Sequence, residues 1–152
     1  PVTEEQMTQL LRDIRGQFDY CLLDAPAGLG MGFLLSTAAA DRCVVVTTTD
    51  ASSLRDAQHT VMELDRFGTG KLHLVVNRVR KKLLRSMHAT IDDAIDKAGL
   101  PLLGVVPEDD ALPLSLNRGV PLLLADSGMA ATAYRNIAKR IQGIHVPLPR
   151  IK

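Results

Sequence analysis

Tryptophan is absent from the 152 residues, and aromatic side chains make up only 3% of them. Rings this sparse exclude the stacking platforms that single-stranded nucleic acid requires. Long hydrophobic runs are missing too: the longest apolar stretches, such as residues 43–46, fall far short of the ~20 residues of a bilayer-spanning helix. No signal-peptide pattern opens the sequence, so we expect a cytoplasmic protein. Neither sign of charge dominates. Eighteen Lys and Arg against 17 Asp and Glu leave a net charge of +1, which offers no electrostatic footprint for nucleic acid or acidic lipid. The two cysteines, Cys21 and Cys43, sit in apolar strand-like runs and read as reduced, buried small hydrophobes rather than a disulfide. His59, His73, His88 and His145 are scattered without ligand spacing, so no zinc site is expected.

What remains is a composition of 46% hydrophobic and 23% charged residues, suited to one globular domain with one core. Thr3 with Gln6 predicts a capping box, followed by Met7, Leu10, Leu11 and Ile14 at helical spacing up to Gly16. Residues 18–23 read as a buried strand that feeds a glycine-rich loop, Asp24-Ala25-Pro26-Ala27-Gly28-Leu29-Gly30. Residues 43–48 predict a second strand, after which Ser52 or Ser53 is expected to cap a helix reaching Gly68. Strands over residues 72–76 and 102–106 follow, with a helix over residues 83–98 between them. Asp109 is expected to cap a short helix, residues 122–124 to form a brief strand, and Ser127 to open a last helix that Gly143 stops. Apolar strands alternating with helices imply an α/β fold, a parallel sheet with helices on both faces. The domain is read as residues 1–143, with residues 144–152 a proline-containing tail.

In such sheets ligands sit beyond the carboxyl ends of the strands. Asp24 stands at the first of these ends, ahead of Pro26, Ala27 and Gly28. A carboxylate there can hold Mg²⁺ through water, and small residues admit a phosphate; it can equally be a turn cap. Gly28-x-Gly30 begins like a dinucleotide fingerprint, but Phe33 stands where a third small residue is needed, which rejects that reading. Asn77 at another strand end either offers its amide to a ligand or satisfies local backbone groups. Glu108 and Asp109 can be a ligand-bordering loop or an acidic helix start.

Several segments, in order, resemble one family. Phe18-Asp19-Tyr20-Cys21-Leu22-Leu23-Asp24-Ala25-Pro26-Ala27-Gly28 is similar to the Walker B strand and D-x-P-A-G loop of the MinD/ParA family of P-loop ATPases, nearest to its MinD members. Residues 40–48 and 52–56, Asn77-Arg78, Gly104-Val105-Val106-Pro107-Glu108-Asp109 and Asn117-Arg118-Gly119-Val120-Pro121 resemble that family's later motifs, covering residues 18–143. The resemblance implies a P-loop NTPase-type fold and an ATP-binding, ATP-hydrolysing regulator of division-site placement. It implies that Asp24 is the catalytic Walker B carboxylate, holding Mg²⁺ through water, with Ala27 and Gly28 near the γ-phosphate. By the same resemblance Asn77 meets the adenine edge, Arg78 lies beside the base, and Pro107, Glu108 and Asp109 border it. Asp56 matches a carboxylate that pairs with a P-loop lysine. For the complete protein the resemblance implies ATP or ADP with Mg²⁺, a homodimer, and a regulator of the MinE type; peripheral membrane contact is expected through partners.

The departures are specific. A Lys-Gly-Gly-x-Gly-Lys-Thr-type P-loop and its strand occur nowhere in the 152 residues, so the segment corresponds to the family's C-terminal two-thirds, and weak or no ATP binding is expected of it alone. Asp50 replaces a family proline. Pro147 and Pro149 keep the tail from forming the amphipathic membrane helix of some members. Two alternatives stand beside the ATPase reading: a non-enzymatic remnant serving as a binding or dimerisation module, and a ParA-type partition ATPase. The basic run Arg78, Arg80, Lys81, Lys82 and Arg85 is read as a solvated loop and helix start.

Overall fold

The computed structural model describes residues 2–67, 70–80, 95–96, 98–125 and 128–148. By internal contacts the chain divides into two compact units, Pro1–Cys43 and Val44–Lys152.

In the first unit, α1 spans Glu4–Ile14. The capping box forms as expected: Gln6 N–H donates to Thr3 Oγ1 at 3.3 Å and Thr3 N–H to Gln6 Oε1 at 3.0 Å. Arg15 then forks onto both carboxylate oxygens of Asp41, at 3.0 and 3.2 Å. A second helix, α2, covers Met31–Thr37 and buries Phe33 and Thr37. The sequence pattern gives no sign of it, because seven residues are too few to display a helical period.

One expectation fails in this unit. Residues 18–23 form no strand, and Phe18, Tyr20 and Leu22 are exposed, Leu22 at 89%. A strand exists only through ladder hydrogen bonds to a neighbour, and no described residue pairs with this segment. Cys21 is therefore exposed rather than buried, whereas Cys43 is half-buried, and no disulfide joins them.

The second unit is built on a three-stranded parallel sheet in the order β1-β2-β3, where β1 is Cys43–Thr47, β2 Leu72–Val79 and β3 Leu102–Pro107. The expected α/β fold with helices packed on a parallel sheet is thus present. Consecutive β2 residues Leu74, Val75 and Val76 are all buried, so the strand is covered on both faces. Val75, Leu103 and Val106 pack with Leu122, Ala130, Ala131 and Ala133. In β1 only Val45 and Thr47 are buried, while Val44 and Val46 are exposed at 42% and 60%.

Helix α3, Ala51–Glu63, is capped by Asp50 rather than by Ser52 or Ser53: Asp50 Oδ1 accepts the Ser53 N–H at 3.0 Å. It stops short of Gly68, giving way at Leu64 to a 3₁₀ turn over Asp65–Phe67. The helix expected over residues 83–98 lies largely outside the described residues. Its described end, at Ile95, Asp96 and Ala98, is helical, and Gly99 stops it at φ +66. Helix α4 spans Ala111–Asn117, with Asp109 Oδ1 accepting the Ala111 N–H at 3.0 Å.

The expected strand at residues 122–124 is instead a short helix, α5, Leu122–Ala125. Pro121 fixes its own φ at a helical value, and its carbonyl accepts from Leu124 and Ala125 N–H at 2.9 and 3.2 Å. Helix α6, Met129–Ile141, has Gly128 as its N-cap; Ser127 lies outside the described residues. Gly143 ends it at φ +81. Arg140 ties the tail down, donating to Leu103 O at 2.7 Å, to Val146 O at 3.0 and 2.9 Å, and to Pro147 O at 2.9 Å.

Candidate functional site

The carboxyl ends of β2 and β3 gather four of the residues singled out above. Parallel pairing sets Val79 opposite Pro107, and Glu108 N–H donates to Val79 O at 3.2 Å. From Val76↔Val105 to Val79↔Pro107, β2 advances three residues while β3 advances two. The extra residue makes a bulge at Asn77 and Arg78, a device that re-aims side chains at functional strand ends. Arg78 accordingly takes φ +53, where a non-glycine residue is uncommon.

Asn77 stabilises that turn itself: its Oδ1 accepts the Arg78 N–H at 2.9 Å. One lone pair is thus spent locally, and among the described residues no partner occupies its Nδ2. Of the two roles left open for Asn77, the backbone role is therefore filled, and a donor remains for a ligand.

Glu108 carries the ion cluster. Arg78 Nη2 donates to its Oε1 at 3.4 Å, Arg80 Nη2 to Oε1 at 2.6 Å, and Arg80 Nε to Oε2. The Glu108 side chain is 26% exposed, against 66% and 57% for the arginines. Its carboxylate is engaged by guanidinium groups, which makes it an anchor for the loop after β3. Sequence reasoning left Arg80 in a solvated basic run; it lies just past β2 and beyond the bulge, which re-aims the side chains, so no sequence spacing signals its pairing with Glu108. Lys81, Lys82 and Arg85 lie outside the described residues.

Asp56 is exposed on α3 and has no side-chain partner among the described residues.

Asp24, Ala27 and Gly28 belong to the first unit and are exposed in the loop between residues 18–23 and α2. No described residue hydrogen-bonds Asp24. That leaves its carboxylate open for a hydrated Mg²⁺, an ion that keeps several waters and takes one or two carboxylates from protein. Gly28 is at φ +86, and nothing lies within 4 Å of where a Cβ would sit, so conformation rather than crowding demands glycine there. Among the described residues no group of three or more His, Cys, Asp or Glu converges to hold a metal by itself.

No family model matches the chain. Among curated relatives, the septum site-determining protein MinD of Bacillus subtilis is 36% identical over 149 residues, covering 97% of this chain and 56% of its own length. The MinD of Synechocystis is 33% identical over 148 residues, covering 96% and 56%. This chain therefore spans about half the length of the curated relatives it matches. Among solved structures, the MinD cell division protein of Aquifex aeolicus superposes with a TM-score of 0.90 at 28% identity, over 98% of this chain and 64% of that one. A MinC:MinD cell division protein complex from the same organism gives 0.90 at 28%, over 98% and 63%. MinD of Pyrococcus horikoshii, complexed with Mg-ADP, shares the fold at a TM-score of 0.77 and 24% identity, over 91% and 56%.

Proposed function

We propose, from the premise that this chain is a MinD-like portion of the MinD/ParA family of P-loop ATPases, that it supplies the base-binding edge and the Mg²⁺ carboxylate of an ATP-hydrolysing regulator of division-site placement. The observation that carries the reading is the strand-end assembly, in which Asn77, Arg78, Pro107 and Glu108 are brought side by side by the pairing of β2 with β3. In this reading the Asn77 Nδ2 donates to the adenine edge and Arg78 lies beside the base. Pro107, Glu108 and Asp109 form the border, with Glu108 held in place by Arg78 and Arg80.

Asp24 holds Mg²⁺ through water, and Ala27 and Gly28 let the backbone approach the γ-phosphate. Asp56 pairs with the lysine of a P-loop. Residues 1–143 act as the nucleotide-hydrolase domain and residues 144–152 as its tail. The proposed partners are a second copy, a regulator of the MinE type and, by likeness to the Aquifex complex, a MinC-type protein. The proposed location is the cytoplasm, with membrane contact through those partners.

The test is Asp24→Asn in the full-length protein. Asn keeps the shape and removes the charge, so ATP turnover should fall by on the order of 10²-fold with the fold unchanged by circular dichroism. Turnover equal to that of the unaltered protein takes Asp24 out of the site.

A further inference from the structure

The loop that carries Asp24, Ala27 and Gly28 has no hydrogen bond holding it: none of residues 24–29 bonds to another described residue. Something else must fix its path, and the glycines show what. A Cβ placed on Gly32 would lie 2.5 Å from Pro26 Cγ, 3.3 Å from its Cδ and 3.8 Å from its Cβ. The Pro26 ring therefore rests directly against the backbone of the first turn of α2. Gly32 does not have a left-handed φ, so its conformation suits any residue, and helical propensity favours alanine over glycine. Space alone calls for glycine. Gly28 and Gly30 have nothing within 4 Å of a Cβ, so this close approach is particular to Gly32.

We propose that Gly32 is a positioning residue for the Asp24–Gly28 loop, its missing side chain being what lets Pro26 dock on α2 and hold the loop in place. Pro26 is suited to the task because its ring has no χ1 freedom with which to swing aside. It stands two residues from Asp24 and two from Gly28, so any shift of the ring moves the metal-side carboxylate and the phosphate-side backbone together. Adding a methyl group at Gly32 leaves the loop with the choice of lifting off the helix or distorting its first turn. What the loop binds rests on the function proposed above; that Pro26 and Gly32 hold it does not.

The experiment uses Gly32→Ala, Pro26→Ala and the double variant of the full-length protein, with limited proteolysis by a non-specific protease, cuts within residues 24–30 being identified by mass spectrometry, and steady-state ATP turnover. Amide exchange in residues 71–80 reports whether the sheet is intact, and Pro26→Ala removes the contact without adding volume. Each single variant should raise the rate of cutting in the loop about tenfold and lower kcat, with KM for ATP within about twofold, since the base contacts come from β2 and β3. The double variant should be cut no faster than either single one, because all three lose the same contact. Loop cutting within twofold of the parent in Gly32→Ala, or effects that multiply in the double variant, overturns the positioning role. A loosened loop with unchanged turnover upholds that role and counts instead against the proposed function, as does a parent protein that turns over no ATP.

Discussion

Replacing Glu108 by Gln gives a prediction whose size follows from exposure. Among the described residues Glu108 is the sole carboxylate of the ion cluster with Arg78 and Arg80, and the substitution keeps volume while removing its charge. If the cluster lay in a dry interior, leaving two guanidinium groups uncompensated would cost about 3–5 kcal/mol. Here the arginine side chains are 66% and 57% exposed, so water screens them, and exposed pairs contribute only ~0.2–1 kcal/mol each. The two-pronged contact from Arg80 belongs at the upper end of that range, and the longer one from Arg78, at 3.4 Å, at the lower. The expected loss is therefore ~1–1.5 kcal/mol in urea unfolding at low ionic strength. Raising salt to ~1 M shortens the screening length to about 3 Å, so the difference between variant and parent should shrink by half or more. A loss above ~3 kcal/mol that salt leaves unchanged would refute the surface-cluster account and make Glu108 a desolvated anchor.

The 152-residue chain by itself should show no measurable heat with Mg-ATP in calorimetry; a dissociation constant in the low micromolar range, worth ~8 kcal/mol, contradicts this. Asp50→Ala should destabilise by ~0.5–2 kcal/mol through loss of the α3 cap, measured at neutral pH. Donation from the Thr48 hydroxyl above all, then from the Ser53 N–H and the Ser52 and Ser53 hydroxyls, holds the Asp50 carboxyl well below the usual carboxylate range. A depressed folded value stabilises above the unfolded value of about 3.9 and is lost as pH falls below it, so the gap between parent and variant should close only below about pH 4. Gly104→Ala would set a Cβ 2.4 Å from Ile137 Cγ1 and 2.8 Å from its Cδ1. It should cost ~1–3 kcal/mol of overpacking, with Ile137→Ala in the same chain recovering part of that in a double-mutant cycle; additive losses would contradict the contact.

Where a segment's local pattern and its partners agree, its structure was legible. Thr3 and Gln6 could be read as a capping box because both of its hydrogen bonds are local. The ends of β2 and β3 could be read because a parallel sheet aligns strand ends whatever the loops do. Residues 18–23 misled because hydrophobicity records burial, whereas a strand also requires a neighbour with which to pair. Residues 122–125 misled because three leucines look alike in helix and strand, and Pro121 alone decided between them. Asp50 took the cap from the serines because a carboxylate beside several donors outcompetes a hydroxyl. That Asn77, Arg78, Pro107 and Glu108 stand at strand ends was visible, but the pairing of Glu108 with Arg80 crosses 28 positions of sequence and depends on a bulge that no periodicity announces.

The Arg140 tie also dictates how this molecule should be handled at the bench. Its guanidinium pins Val146 and Pro147 to the carbonyl of Leu103, near the start of β3, whereas the residues proposed to face a nucleotide begin at Pro107, four residues further on and ~13 Å away at a strand's rise of 3.3 Å per residue. A purification handle or fluorophore joined after Leu148 would thus emerge at the sheet end remote from Asn77 and Glu108, leaving that mouth unobstructed for titration, immobilisation or crystal soaking.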